Sequence, residues 1–429
     1  MWDYIAEMAT TKISNLGEVA SMPESGRMPV IIIAWVTAIC ILGDSMLYIV
    51  LPVYWEQFGL DALWQVGVLL SINRFVRLPL NPLIGPLYRR ITKRSGVLIA
   101  VALAIVTTWS YGFLHGFWVL AAMRALWGAA WSLLRLGGYL TVLECASERT
   151  RGGLLGTYNG LIGVGSLIGM LAGGVLADIV GVRTVCAVLG VLTLAGIPFV
   201  LRYIPATVSV SHDSSPAPES EKTFQWRHRE ALFVLTSGIV ISIVYFGMYT
   251  STMSRMVEEH TADALLPGLL IGAATLTGIV QAIRWSWSPF LSPWIGRLSD
   301  RMPSRLPLFV GSLLLGGVIF ALLPIQLPVW LWLAVLLVAQ LSNTAVLTLM
   351  DAVASDTASR TSKVAFMTAY TTGTDLGAAI GPFIGYALAA QLGLGSIYWL
   401  SAVLLLAVGA AWAAASRKAG RRPAVTGKM

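Results

Sequence analysis

Ionisable side chains are scarce in this sequence: Asp, Glu, Lys and Arg make up 12% of its 429 residues. That is about half the share a water-soluble domain carries. A chain so poor in charge cannot cover a water-exposed surface of this size. Cysteine is scarcer still. Cys40, Cys145 and Cys186 stand far apart, within or at the ends of apolar stretches, which excludes a disulfide framework and a metal-binding spacing. The four histidines, His115, His212, His228 and His260, form no H-E-x-x-H pair. There is no G-x-x-x-x-G-K-[ST] loop to hold a nucleotide, no nucleophile elbow and no Cys/His arrangement. Neither a primary pump nor an enzyme is expected, and no cofactor or metal. No short apolar core with a cleavage site precedes the first long apolar block, so no cleaved signal peptide is expected.

What the chain has in quantity is apolar residues, 56% of the total. They come in blocks of about 20, the length that crosses about 30 Å of hydrocarbon as a helix. Backbone groups in lipid must bond internally, so each block predicts a helix. The expected spans are 29–52, 64–87, 95–114, 118–143, 154–177, 183–204, 231–252, 266–295, 305–323, 329–350, 364–390 and 396–415. The polar stretch 205–230 cannot bury a core and reads as a flexible linker. The expected organisation is a segment 1–28, a six-helix bundle 29–204, the linker, a second six-helix bundle 231–415 and a basic tail 416–429.

The net charge of +8 would suggest nucleic acid in a soluble protein. Here the bases cluster in loops on one side, which membrane topology explains. That side holds Arg89, Arg90, Lys93, Arg94, Arg149, Arg151, Arg297, Arg301, Arg305, Arg360 and Lys363, and the tail adds five more bases from Arg417 to Lys428. The other side offers Arg183 and Arg255 against Glu56, Asp61, Glu258, Glu259 and Asp263. Both termini and the linker are therefore expected in the cytoplasm.

The loops after spans two and eight resemble each other. Gly85-Pro-Leu-Tyr-Arg-Arg-Ile-Thr-Lys-Arg94 aligns with Gly296-Arg-Leu-Ser-Asp-Arg-Met-Pro-Ser-Arg305, which also sets Pro82 on Pro293. Half-chain repeats of this kind mark transporter folds. The second loop resembles the G-x-L-x-D-R-x-x-x-R signature of the major facilitator superfamily. The resemblance covers the whole chain and implies an all-α membrane protein of about twelve spans in two six-helix bundles. It also implies that Asp300 and Arg301 belong to a cytoplasmic charge network that stabilises the outward-facing state, with Gly85, Arg89 and Gly296 in the gating loops. The first loop departs from the pattern, because Tyr88 stands where the acid would be.

Two further segments agree. Arg124-Ala-Leu-Trp-Gly128 is similar to the R-x-x-x-G segment of the drug/proton antiporter branch, where that arginine is associated with proton transfer. Gly165, Gly169, Gly173 and Gly174 in span five resemble that branch's G-x-x-x-G-P-x-x-G-G, with Met170 in place of proline. Span eleven repeats the pattern with Gly377, Gly381, Pro382 and Gly385. Glycines so spaced let helix backbones approach closely, which is also how many unrelated membrane helices pack.

A charge at the bilayer centre is costly, so it faces a cavity or a partner. Asp44 lies in span one, Arg74 and Arg77 in span two, Arg124 and Arg135 in span four, Arg284 in span eight and Asp375 in span eleven; Glu144 sits at the end of span four. Arg74 and Arg77 share a helix face. Arg124, Trp127, Trp131 and Arg135 form one stripe, with a base at each end and two indoles between. Tyr245 and Tyr249 pair on span seven, and Gln281, Arg284 and Ser288 on span eight. Tyr48 and Asn73 complete the expected substrate contacts. The alternative for the tryptophans is packing or interface anchoring, and for Arg77 a bond to a carbonyl freed by Pro79; Glu144 is expected to be a gate residue paired with a loop arginine.

A carboxylate in low dielectric can take up and release a proton near neutral pH, and Asp44 is placed first for that role, with Arg124 and Asp375 beside it. Five mid-span arginines against two acids, Asp44 and Asp375, favour an anionic or zwitterionic substrate, because arginine forks grip carboxylates. The expected function is a proton-coupled exporter of a small anionic or zwitterionic organic molecule, such as a metallophore or carboxylate metabolite. The alternatives are a multidrug/proton antiporter, a proton-coupled importer and, from another class, a membrane receptor or scaffold. The expected partners are the substrate, protons and membrane lipid, with no nucleic acid. The family resemblance implies a monomer in the cytoplasmic (inner) membrane.

Overall fold

The computed structural model describes residues 24–145, 151–206, 229–261, 272–360 and 363–420. The N-terminal segment up to residue 23, linker residues 207–228 with His212 and His228, the loop bases and acids Arg149 and Asp263, and tail residues Arg421, Arg422 and Lys428 lie outside them.

Each apolar block forms a helix. In chain order these are α1 (Glu24–Val53), α2 (Leu63–Tyr88), α3 (Lys93–Phe113), α4 (Phe117–Cys145), α5 (Arg151–Val180), α6 (Val182–Tyr203), α7 (Arg229–Thr261), α8 (Ala273–Asp300), α9 (Leu306–Leu322), α10 (Val329–Arg360), α11 (Lys363–Leu392) and α12 (Gly395–Gly420). No strand occurs among the described residues. Eight of the helices are long and apolar enough to cross a membrane by length and composition, and α9 is a shorter apolar helix. Exposed Trp35, Ile99, Val106, Leu315, Val318 and Val403 leave apolar surface facing outward, as lipid contact requires.

The largest departures from the expected spans are at polar ends. Helix α7 runs on to Thr261 and α10 to Arg360, because hydropathy marks only the hydrocarbon part of a helix. Past that edge, α7 carries its own ion pairs, Arg255 to Glu258 at 2.6 Å and to Glu259 at 3.9 Å, at spacings that support a solvated helix. Helix α6 breaks at Ala195. Pro198 supplies no N–H for the Leu194 carbonyl, and its ring crowds that group. Within α7, Ile243–Tyr249 is π-helical, and the Thr250 hydroxyl bonds the Tyr245 carbonyl at 2.7 Å.

The chain divides into two compact units. One holds the described residues within Met1–Leu60, Phe75–Ser215 and Ala274–Ala282; the other holds those within Asp61–Arg74, Pro216–Ala273 and Ile283–Met429. In the first, α1 packs on α5, and α3 on α4 and α6. In the second, α7 packs on α11, and α9 on α10 and α12. The second set is the first with six added to every label, so the internal repeat extends from the loop sequences to the packing.

The glycine stripes make the principal pairs. Gly165, Gly169 and Gly173 of α5 meet Ala38, Leu42 and Met46 of α1 with no room for a side chain. Gly377 and Gly381 of α11 meet Ile239, Ile243 and Gly247 of α7 in the same way. Lipid tails are as apolar as leucine, so close backbone approach rather than water exclusion drives such pairing.

Candidate functional site

In the first unit, one ion pair crosses the bundle interior. Arg124 of α4 donates through Nη1 to Asp44 Oδ1 of α1. The Arg124 side chain is 1% exposed and Asp44 12%. A buried charge of this kind persists only with a partner. The guanidinium also lies 6.0 Å from the centre of the Tyr48 ring. Along the α4 stripe, the Trp127 and Trp131 rings are 6.3 Å apart. Trp127 is buried in the apolar core with Tyr88, Val97 and Leu134, whereas Trp131 is half-buried. The Trp131 Nε1 is a buried donor with no hydrogen-bond partner among the described residues. Arg135 is exposed, bonds Tyr139 Oη at 3.3 Å and lies over that ring at 5.6 Å. On α2, Arg77 of this unit is half-buried; Arg74, also half-buried, and the buried Asn73 belong to the second unit.

In the second unit, Tyr245 Oη and Ser342 Oγ of α10 share a hydrogen bond of 2.8 Å. Gly316 of α9 makes room for it: a Cβ there would lie 2.6 Å from the Tyr245 hydroxyl. Tyr245 and Tyr249 both pack on Phe320. Tyr249 Oη and Asn343 Oδ1 are buried without a hydrogen-bond partner among the described residues. Arg284 is 9% exposed, with its guanidinium 4.7 Å from the Trp285 ring centre. Asp375 is half-buried. On α8, Ser288 stands 3.5 Å from Thr344, while Gln281, which belongs to the first unit, is buried.

The two related loops differ. After α8, Arg305 joins Asp300 at 2.7 Å and Asp356 of α10 at 3.3 Å, so Asp300 pairs with Arg305, while the adjacent Arg301 is exposed. Asp300, Arg305 and Asp356, with Glu230, Arg360 and Trp412, line a cavity of about 460 Å³. After α2, Tyr88 is 1% exposed and donates to the Leu133 carbonyl at 2.9 Å. Its ring fills the space over Gly96 and Gly137. Glu144 pairs with Lys93, which is buried, and Arg94 caps α6 by bonding the Ile204 carbonyl at 2.7 Å. Arg89 is exposed, and Gly85 and Gly296 have open space around their α-carbons.

Sequence reasoning missed Asn343 and Asp178, and it expected an arginine where Lys93 pairs with Glu144. Asn343 sits in a polar run of α10, Gln340-Leu-Ser-Asn-Thr344, that carries no charge to single it out. Asp178 lies near the end of α5, where an acid reads as an ordinary loop-side residue.

Both halves of the chain match the model of the Major Facilitator Superfamily, over residues 33–288 and 288–428. The chain is 24% identical over 297 residues to the multidrug resistance protein MdtG of Proteus mirabilis, covering 66% of this chain and 69% of that one. It is also 24% identical over 282 residues to the staphyloferrin B transporter of Staphylococcus aureus, covering 63% and 65%. Among solved structures it is similar to a bacterial homologue of the human lysosomal transporter Spinster in an inward-facing, unoccupied conformation. There the TM-score is 0.72 at 14% identity, covering 92% of this chain and 98% of that one. The doubled helix pairing, the buried charges on α1 and α4 and the match over both halves lead to one assignment: this chain belongs to the Major Facilitator Superfamily and is a multi-pass membrane transporter, not an enzyme.

Proposed function

We propose that the protein is a proton-coupled exporter of a small anionic or zwitterionic organic molecule, working as a monomer in the cytoplasmic membrane with both termini inside. Its moving parts are the six-helix halves 29–204 and 231–415. The observation that carries the coupling is the buried Asp44–Arg124 pair. Protonating Asp44 removes the charge that neutralises Arg124, and an uncompensated buried guanidinium is costly. Proton occupancy therefore sets the electrostatics of the bundle interior. Arg74, Arg77, Arg135 and Arg284 are assigned to the substrate's carboxylates, with Trp131, Tyr249 and Asn343 supplying polar groups that have no partner among the described residues. A curated relative that transports staphyloferrin B supports this class of cargo.

The same pair also supports a second reading. A zwitterion whose ammonium competes with the proton for Asp44 gives exchange in opposite directions. A pure carboxylate that takes the place vacated at Arg124 travels with the proton, giving import. The name of the MdtG relatives favours a third cargo class, amphipathic drugs. Proteoliposomes loaded with a pH-sensitive dye separate them. Proton movement opposite to an added zwitterion supports the exporter, movement in the same direction supports the importer, and a response only to cationic drugs removes the anionic cargo.

A further inference from the structure

Helix α8 opens without a cap of its own. Its N-cap residue, Gly272, has no side chain to accept from the first turn, and the N–H groups of that turn have no partner within the helix. The partner comes from a distant helix. Asp178, near the end of α5, accepts the Thr275 backbone N–H at 2.8 Å and the Thr275 hydroxyl at 2.5 Å on Oδ2. Its other oxygen, Oδ1, accepts the Tyr54 hydroxyl at 2.5 Å, just past the end of α1. One half-buried carboxylate therefore ties together the ends of α1 and α5 and the start of α8. A negative charge is favoured there, because the helix dipole is positive at that end.

The position of this tie in the chain gives it its meaning. Ala274–Ala282 cluster with the first half, while α8 from Ile283 onward clusters with the second. Gly174 of α5 packs on the Ala274 carbonyl with no room for a side chain, and a Cβ on Gly278 would lie 3.0 Å from the Met170 carbonyl oxygen. The glycine contacts that seat the first turns of α8 on α5 have no directionality, whereas the two Thr275 bonds to Asp178, a carboxylate held in turn by Tyr54, are directional. We propose that Asp178 is the latch that holds the first turns of α8 on α5, and that its release lets the end of the bundle remote from the Gly85 and Gly296 loops open. This inference rests on alternating access, but not on the proton or the cargo assigned above. Its failure is therefore distinct from theirs.

The test uses the full chain lacking Cys40, Cys145 and Cys186, with Thr275→Cys as reporter in vesicles of known sidedness. A membrane-impermeant maleimide is applied from the Asp178 side. Adding Asp178→Ala is expected to raise the labelling rate at least tenfold and Tyr54→Phe severalfold, while Asp178→Glu, which keeps the carboxylate, stays near the parent rate. If Asp178→Ala does not fold, Asp178→Asn takes its place. Spin labels at Val180 and Ile325, with Thr275 intact, then separate latch from local fraying. Loss of Asp178 should shift their distance distribution to longer values. Unchanged labelling overturns the proposal, and so does faster labelling with an unshifted distance distribution, which would mean that only the first turn of α8 frays.

Discussion

The two halves of this transporter join the same helices with different chemistry. In the first, Gly169 of α5 meets Leu42 of α1, and two residues further on Asp44 crosses to Arg124 of α4. In the second, Gly381 of α11 meets Ile243 of α7, and two residues further on Tyr245 crosses to Ser342 of α10. An ion pair in one half corresponds to a neutral hydroxyl pair in the other. The related loops differ in the opposite sense: the second half holds its loop with the exposed Asp300–Arg305–Asp356 cluster, and the first with the buried Tyr88 ring. A shared packing frame thus leaves each half free to place its charges where they are used. At these matched positions the first half places its ion pair deep in the bundle and the second places its ion pairs at the loop.

The comparison breaks most sharply at Asp44. The Asp44→Asn change leaves Arg124 without its anion, a loss of about 3–5 kcal/mol for a buried pair. It is expected to lower thermal stability in detergent and to abolish pH-gradient-driven flux. Adding Arg124→Gln should recover most of the stability, since removing both buried charges is often close to neutral, but not the flux. Tyr88→Asp would restore the family acid to the first loop in a slot built for a ring. A lone buried carboxylate costs several kcal/mol, so lower expression and melting temperature are expected, in contrast to a tolerated Asp300→Asn.

At the helix pairs, Gly381→Val forces a side chain into the Gly247 backbone. Overpacking typically costs about 1–3 kcal/mol, whereas Gly85→Ala, with open space around it, should leave the melting temperature unchanged. Tyr245→Phe removes a membrane-embedded hydrogen bond, worth about 0.6 kcal/mol on average and at most about 1.7. It should leave proton coupling intact. A similarly small effect is expected for Asp300→Asn: the pair is largely exposed, and such pairs contribute about 0–1 kcal/mol. A large coupling defect in Tyr245→Phe would undo the contrast between the halves.

Much of this was legible in the sequence. Apolar runs of membrane length fix where helices form, and the glycine spacing of spans five and eleven marks the faces that meet. A helical period says which residues share a face but not which faces oppose. Asp44 and Arg124 could be recognised as costly charges in need of partners, yet their pairing required the fold. The α4 stripe is continuous in sequence, but the structure divides it: Trp127 lies in the apolar core and Arg135 in the open. Tyr88 read as a missing acid, and only the Gly96 and Gly137 gap reveals what it fills. Arg305 could not be chosen over Arg301 as the partner of Asp300, because both follow it closely and loop geometry decides. Asp178 stayed hidden because its partner is 97 residues away.

The most direct test of the central claim, that the Asp44–Arg124 pair couples protons to cargo, is paired flux in proteoliposomes holding wild-type protein or Asp44→Asn. The internal pH dye reports proton movement, and counterflow of the same zwitterionic substrate reports binding and exchange without net proton movement. The account predicts a substrate-triggered pH change for wild type and none for Asp44→Asn, with counterflow strong in wild type and weakened in Asp44→Asn, which has lost the anion that the ammonium shares with the proton. An equal pH change in the two proteins would contradict it.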